Sequence, residues 1–149
     1  MKTLNLLFLS VLTGFLVSSC EKNSKEIYAH VDIKVINSQG ANLLSTPAVF
    51  NNNNIAVYFV KDGKAELYNQ PSPNDNKGFI LIKGADGSDA IRLFLNYKQD
   101  EPTALTLIKF GDTKIDTVKG EFSFEEGSVF LKRVWLNDMA KPMSFEIVK

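Results

Sequence analysis

Apolar residues recur at every second position in this chain, in runs cut short by Gly, Asp, Asn and Pro. That pairing of period and punctuation leaves little room for anything but β-strands. Val31, Ile33 and Val35 alternate with Asp32 and Lys34, the pattern of a strand with one buried face. Asn37-Ser38-Gln39-Gly40 then supplies turn chemistry. Residues 43–54 read as a long loop that holds Pro47, Phe50 and the run Asn51, Asn52, Asn53, Asn54. Ile55-Ala56-Val57-Tyr58-Phe59-Val60 is apolar on both faces, as a central strand would be. Further strands are expected over 79–82, 91–95, 105–108, 115–124 and 129–136. The stretch from Asn137 to Pro142 reads as loop, and Met143, Phe145 and Ile147 as a last strand. No amphipathic helix of convincing length follows the first twenty residues.

Short turns fix how these strands pair. Asp62-Gly63 is a strong two-residue hairpin signal, because Gly accepts positive φ at no cost and Asp nearly so. A two-residue loop there sets Val60 against Ala65, Tyr58 against Leu67 and Val57 against Tyr68, apolar to apolar. Glu126-Gly127 sets Phe124 against Val129, Phe122 against Leu131, and Glu121 against Lys132. In that register Trp135, the only Trp, shares a parity with Val129, Leu131 and Arg133 and is expected in the core, with a ligand platform as the alternative. The fold class is therefore all-β: an antiparallel β-sandwich, Ig-like or transthyretin-like, of about eight or nine strands, with a closed up-and-down β-barrel as the alternative.

The first residues follow a different rule. Met1-Lys2 is basic, residues 4–17 are uncharged and mostly apolar, and Ser18-Ser19 are small. This is the build of a secretory signal, and the apolar run is shorter than the roughly 20 residues a spanning helix needs. Val17-Ser18-Ser19-Cys20 resembles the lipobox of bacterial lipoproteins, in which the Cys thiol is acylated after cleavage. Cys20 is the only Cys in the chain, and lipidation would remove its free thiol. Several palmitate-type acyl chains hold a protein far more firmly than one. The expected organisation is a signal over 1–19, a tether over 20–27, and a β-domain over 28–149.

Charge narrows the partners. The chain has 17 basic and 17 acidic residues, and loss of the signal removes only Lys2. No basic cluster exists for nucleic acid or for an anionic membrane surface. With one Cys there is no internal disulfide, so the core alone must hold the fold.

The same pass finds little catalytic chemistry. His30 is the only His, and transition-metal sites or nucleophilic triads need a His with partners. Asp100-Glu101 and Glu125-Glu126 read as solvated turn charges; Asp112 and Asp116 flank a turn. Asn74-Asp75-Asn76 and Asp86-Gly87-Ser88-Asp89 carry oxygen ligands, but in turn positions and not in EF-hand order. No phosphate-binding Gly loop occurs. No catalytic residue, cofactor or metal is expected.

Val31-Asp32-Ile33, Asn54-Ile55-Ala56-Val57-Tyr58, Arg92-Leu93-Phe94, Gly111-Asp112 with Asp116-Thr117-Val118-Lys119, and Val134-Trp135-Leu136-Asn137 together make a further pattern. With the lipobox, they resemble small uncharacterised lipoproteins of Bacteroides-type bacteria. The resemblance implies a Gram-negative outer-membrane lipoprotein with a β-sandwich domain, and it brings no catalytic residues. The functional expectation is a non-enzymatic binding module, anchored to the membrane by lipid, that takes an envelope protein or a glycan. The loop Phe50–Asn54 is the candidate contact, since Asn amides both donate and accept. An enzyme acting on envelope or extracellular polymers and a structural envelope component are the alternatives.

Overall fold

Alternation becomes architecture in the computed structural model, which describes residues 24–69, 77–99 and 101–149. The signal, Cys20, the first part of the tether, Asn74-Asp75-Asn76 with most of its loop, and Asp100 lie outside the described residues. Among the described residues eleven strands form: β1 Ile27–Tyr28, β2 His30–Ile36, β3 Ile55–Lys61, β4 Lys64–Leu67, β5 Phe79–Lys83, β6 Asp89–Phe94, β7 Thr103–Phe110, β8 Asp116–Glu125, β9 Ser128–Leu136, β10 Met139–Lys141 and β11 Ser144–Val148. There is no helix among the described residues.

The strands make two sheets, ordered β1-β9-β8-β7-β3-β4, with β10 also on β9, and β11-β2-β6-β5. This is a sandwich, and neither sheet closes into a barrel. Each sheet is mixed, not purely antiparallel: β1 runs parallel to β9, and β11 parallel to β2. These partners are distant in sequence and no hairpin joins them, so no tight turn forces them to run antiparallel. Glu26 already belongs to the sheet, its carbonyl accepting from Val129 N at 2.8 Å.

The core lies where the two inner faces meet. Val31, Ile33, Ile91, Leu93, Ile108, Phe110 and Val118 are fully buried. Each such side chain contributes about 1.5–3 kcal/mol relative to exposure. Gly120 leaves room for this packing: a Cβ there would come within 2.8 Å of the Phe122 ring.

The hairpin at Asp62-Gly63 has the expected register, with Val60 opposite Ala65 and Tyr58 opposite Leu67. Both turn residues have positive φ, at 49° and 74°. The second hairpin is as expected up to one point: Phe124 faces Val129 and Phe122 faces Leu131. A β-bulge then follows, so Glu121 lies opposite Arg133 and not Lys132. One extra residue on β9 reverses the faces beyond it. Val134 and Leu136 turn inward and are buried, and Trp135 turns outward and is half-buried. The core placement expected for Trp135 is therefore corrected. The segment read as a loop from Asn137 to Pro142 is in part a hairpin: Asn137 and Asp138 both have positive φ, and β10 returns along β9.

One polar cluster joins the two sheets inside the sandwich. Asp116, on β8, and Lys149, just past β11, have side chains only 9% exposed. Their charged atoms lie 2.5 Å apart, and the Lys149 ammonium is the one partner of Asp116 Oδ2 among the described residues. Asn137 Nδ2 donates to Asp116 Oδ1 at 3.0 Å, while Lys149 Nζ donates to Lys114 O at 3.1 Å and sits 5.7 Å from the Phe110 ring centre.

Candidate binding groove and outer face

Both outer faces of the sandwich carry ion pairs beside apolar side chains. On the smaller sheet, the outward residues of β2 and β6 form an ion-pair network. Arg92 grips Asp32 through two bonds of 2.9 and 3.0 Å. Lys34 bonds Asp86 at 2.6 Å and approaches Glu146 at 3.6 Å. His30 is half-buried beside Phe94, with ring centres 6.3 Å apart. Burial, and then the Arg92 guanidinium, hold its imidazole below the usual pKa, against the pull of Asp32.

On the larger sheet the outward positions mix apolar residues with charged ones such as Lys109, Lys119 and Glu121. Their neighbours Val57, Ile108 and Val118 face the core, so Tyr58, Val60, Leu105 and Leu107 face away from it. Cross-strand pairing aligns them in rows. Leu67, Tyr58, Leu107 and Thr117 lie side by side, as do Leu105, Lys119, Trp135 and Ala140. The Trp135 ring has Lys119 Nζ 5.2 Å from its centre and the Arg133 guanidinium at 5.5 Å, and Arg133 is bonded to Glu121 at 2.7 Å.

This face carries a groove of about 780 Å³. It begins where β3 and β7 part. Their ladder ends at Phe59 opposite Thr106, and the next carbonyl, Val60 O, is taken by Asn96 Nδ2 at 3.0 Å. Asn96 is itself fixed by its backbone N–H, which donates to the hydroxyl of fully buried Thr106 at 2.9 Å. Buried polar anchoring of this kind makes the groove preformed. Val60 and Leu105 give it apolar wall, and Asn96 and Tyr97 add an amide and a phenol. Tyr97 packs on Phe122, ring centres 6.3 Å apart. Lysines and carboxylates alternate around the rim: Lys61, Lys98 and Lys119 with Asp62, Glu101 and Asp138. Lys98 and Glu101 are paired at 2.5 Å.

The residues singled out from sequence are placed elsewhere. Phe50 is 7% exposed and packs on Phe110, ring centres 5.5 Å apart, so it anchors the loop in the core. Asn51 and Asn54 brace the loop itself: Asn51 Oδ1 accepts from Asn53 N at 2.9 Å and Asn54 Oδ1 from Asn51 N at 2.8 Å. Asn54 Nδ2 also donates to Val49 O at 2.8 Å. Asn52 and Asn53 are exposed, and Asn52 O accepts from Lys77 Nζ. Cys20 lies outside the described residues.

The oxygen-rich turn at Asp86–Asp89 is held by cations. Asp86 accepts from Lys34 and from Ser88, and these bonds, the lysine's first, hold its carboxyl well below the usual carboxylate range. Asp89 accepts from Lys83 at 2.6 Å and from Ser45 at 2.8 Å. Among the described residues, no three of His, Cys, Asp and Glu gather as a metal site would need. The groove was missed in the sequence because no local pattern announces a point where two strands part. For the outward turn of Trp135, in contrast, Lys132-Arg133 is a visible trace, two adjacent charges that break the alternation just before it. Comparison with protein-family models, with curated proteins and with solved structures finds no match.

Proposed function

We propose that this chain is a non-enzymatic binding module of the cell envelope, acylated on Cys20 and held at the outer membrane of a Gram-negative bacterium. It takes its partner, a glycan or an envelope protein, on the outer face of the larger sheet. The observation that carries the binding reading is the preformed groove on the larger sheet, with Leu105, 39% exposed, in its wall. The groove combines an apolar wall of Val60, Ala104 and Leu105 with charged and polar groups, and concave sites with fixed polar groups are where ligands usually bind. The groove's carboxylates sit among lysines, which suits recognition better than acid–base chemistry. The anchor reading rests on Val17-Ser18-Ser19-Cys20 and on Cys20 being the sole Cys.

Photo-crosslinking in intact cells tests the face. With p-benzoylphenylalanine at position 105, on the groove, a discrete adduct should form. At position 80, on the opposite outer face, it should not. Equal adducts at both positions, or none at 105, would contradict the proposal.

A further inference from the structure

Resting on the binding reading, we infer that the groove between Val60 and Leu105 is a site for a neutral oligosaccharide, extended along the row Leu105, Lys119, Trp135.

Charge is the first argument. Three ammonium groups and three carboxylates line the groove, and they cancel. A polyanion such as a nucleic acid or a sulfated glycan would gain no attractive field there, and neither would a strongly basic or acidic peptide. The ligand that loses nothing by this balance is uncharged.

Hydrogen-bonding capacity is the second. A sugar hydroxyl both donates and accepts, so it needs donors and acceptors interleaved at short range. The groove supplies ammonium donors at Lys61 and Lys119, carboxylate acceptors at Asp62 and Asp138, and the Asn96 carbonyl oxygen as a further acceptor. An extended peptide would instead look for a free strand edge, with its row of backbone donors and acceptors. The edge offered here is short: past the end of the β3–β7 ladder at Phe59–Thr106, only Thr103 to Leu105 of β7 are paired on one side alone, with β8, and Val60 O across from them is capped by Asn96.

The third argument is the apolar surface. Leu105 and Val60 in the groove, and the part of the half-buried Trp135 indole that Lys119 and Arg133 leave uncovered, can lie against the C–H faces of sugar rings. Leu105, Lys119 and Trp135 sit on three adjacent strands, so the row is roughly 10 Å long at the usual strand spacing. That suits several linked rings better than a single one. The ammonium of Lys119 joins the two parts, because it lines the groove and also lies over Trp135.

Because Trp135 is the sole Trp, its fluorescence reports on this row alone. The test is titration of the full-length protein in detergent. The probes are cellohexaose, maltohexaose, mannohexaose and chitohexaose, with a heparin hexasaccharide and a mixed-sequence decapeptide as controls. Amide NMR shifts are recorded in parallel. At least one neutral hexasaccharide should bind saturably, changing Trp135 emission and the amides of Val60, Asn96 and Leu105. Leu105→Glu should weaken that binding tenfold or more at unchanged melting temperature. If Leu105→Glu unfolds the domain, Lys119→Ala is the second variant and should also weaken binding. Binding only to heparin or to the decapeptide overturns the inference, as does a sugar response confined to Asn51–Asn54. Failure of every neutral probe overturns it too. If the crosslink at position 105 nevertheless forms, the binding reading stands and only the ligand class is wrong; if that crosslink is also absent, both fall.

Discussion

Asp116→Ala should lower the stability of the domain by about 3–5 kcal/mol, because it strands the Lys149 ammonium inside the sandwich. At 9% side-chain exposure, that ammonium would keep only Lys114 O and the Phe110 ring face as compensation. Lys149→Ala should cost a similar amount by stranding the carboxylate, although Asn137 Nδ2 still reaches Asp116 Oδ1. For a domain of this size the fall in melting temperature is on the order of 10–20 °C. The double variant Asp116→Leu with Lys149→Met is the informative control. It removes both charges and fills the space, so it should recover most of the loss. Urea denaturation of the parent, Asp116→Leu, Lys149→Met and the double variant closes the cycle. A near-additive double variant would show that the two charges act independently, against the geometry described here.

Phe110→Ala is the second large effect, at about 3–5 kcal/mol. Phe110 is fully buried and is the surface on which Phe50 rests. Its loss should therefore do more than leave a cavity. The loop over 43–54 is attached through Leu44 and Phe50, and its backbone folds back through Val49 and Phe50 N–H donors to Leu43 O at 2.9 and 3.0 Å. Hydrogen exchange at Val49 and Phe50 should accelerate well beyond the global change in stability. Phe50→Ala should reproduce that local acceleration at a smaller global cost. Unchanged exchange at these amides in both variants would mean that the ring contact does not hold the loop.

The contrast between Phe50 and Trp135 explains what was legible in the sequence. Short hairpins were readable because their turn residues and pairings lie within a few positions of each other, as at Asp62-Gly63 and Glu126-Gly127. The alternation that placed Val31, Ile33 and Val35 inside is equally local. The bulge at Glu121 was not read, although Lys132-Arg133 shifts the phase of the apolar positions from 129 and 131 to 134 and 136. That single shift moved Trp135 from the expected core to the outer face. Phe50 went the other way: a long loop rich in Asn looks solvated, yet one aromatic and Leu44 bury it. The parallel strands, the Asp116–Lys149 pair and the groove were out of reach for a common reason. Each joins segments whose meeting is decided by how two sheets stack, and no spacing along the chain encodes that.

The proposed anchoring of this domain to a cell envelope through Cys20 is tested most directly by the intact mass of the mature protein extracted from membranes. The expected species begins at Cys20, lacks residues 1–19, and carries diacylglyceryl and amide-linked acyl mass on that residue. Cys20→Ser should abolish the added mass and release the protein from the membrane fraction. A mature protein that begins elsewhere, or that carries Cys20 as an unmodified thiol, would contradict the account.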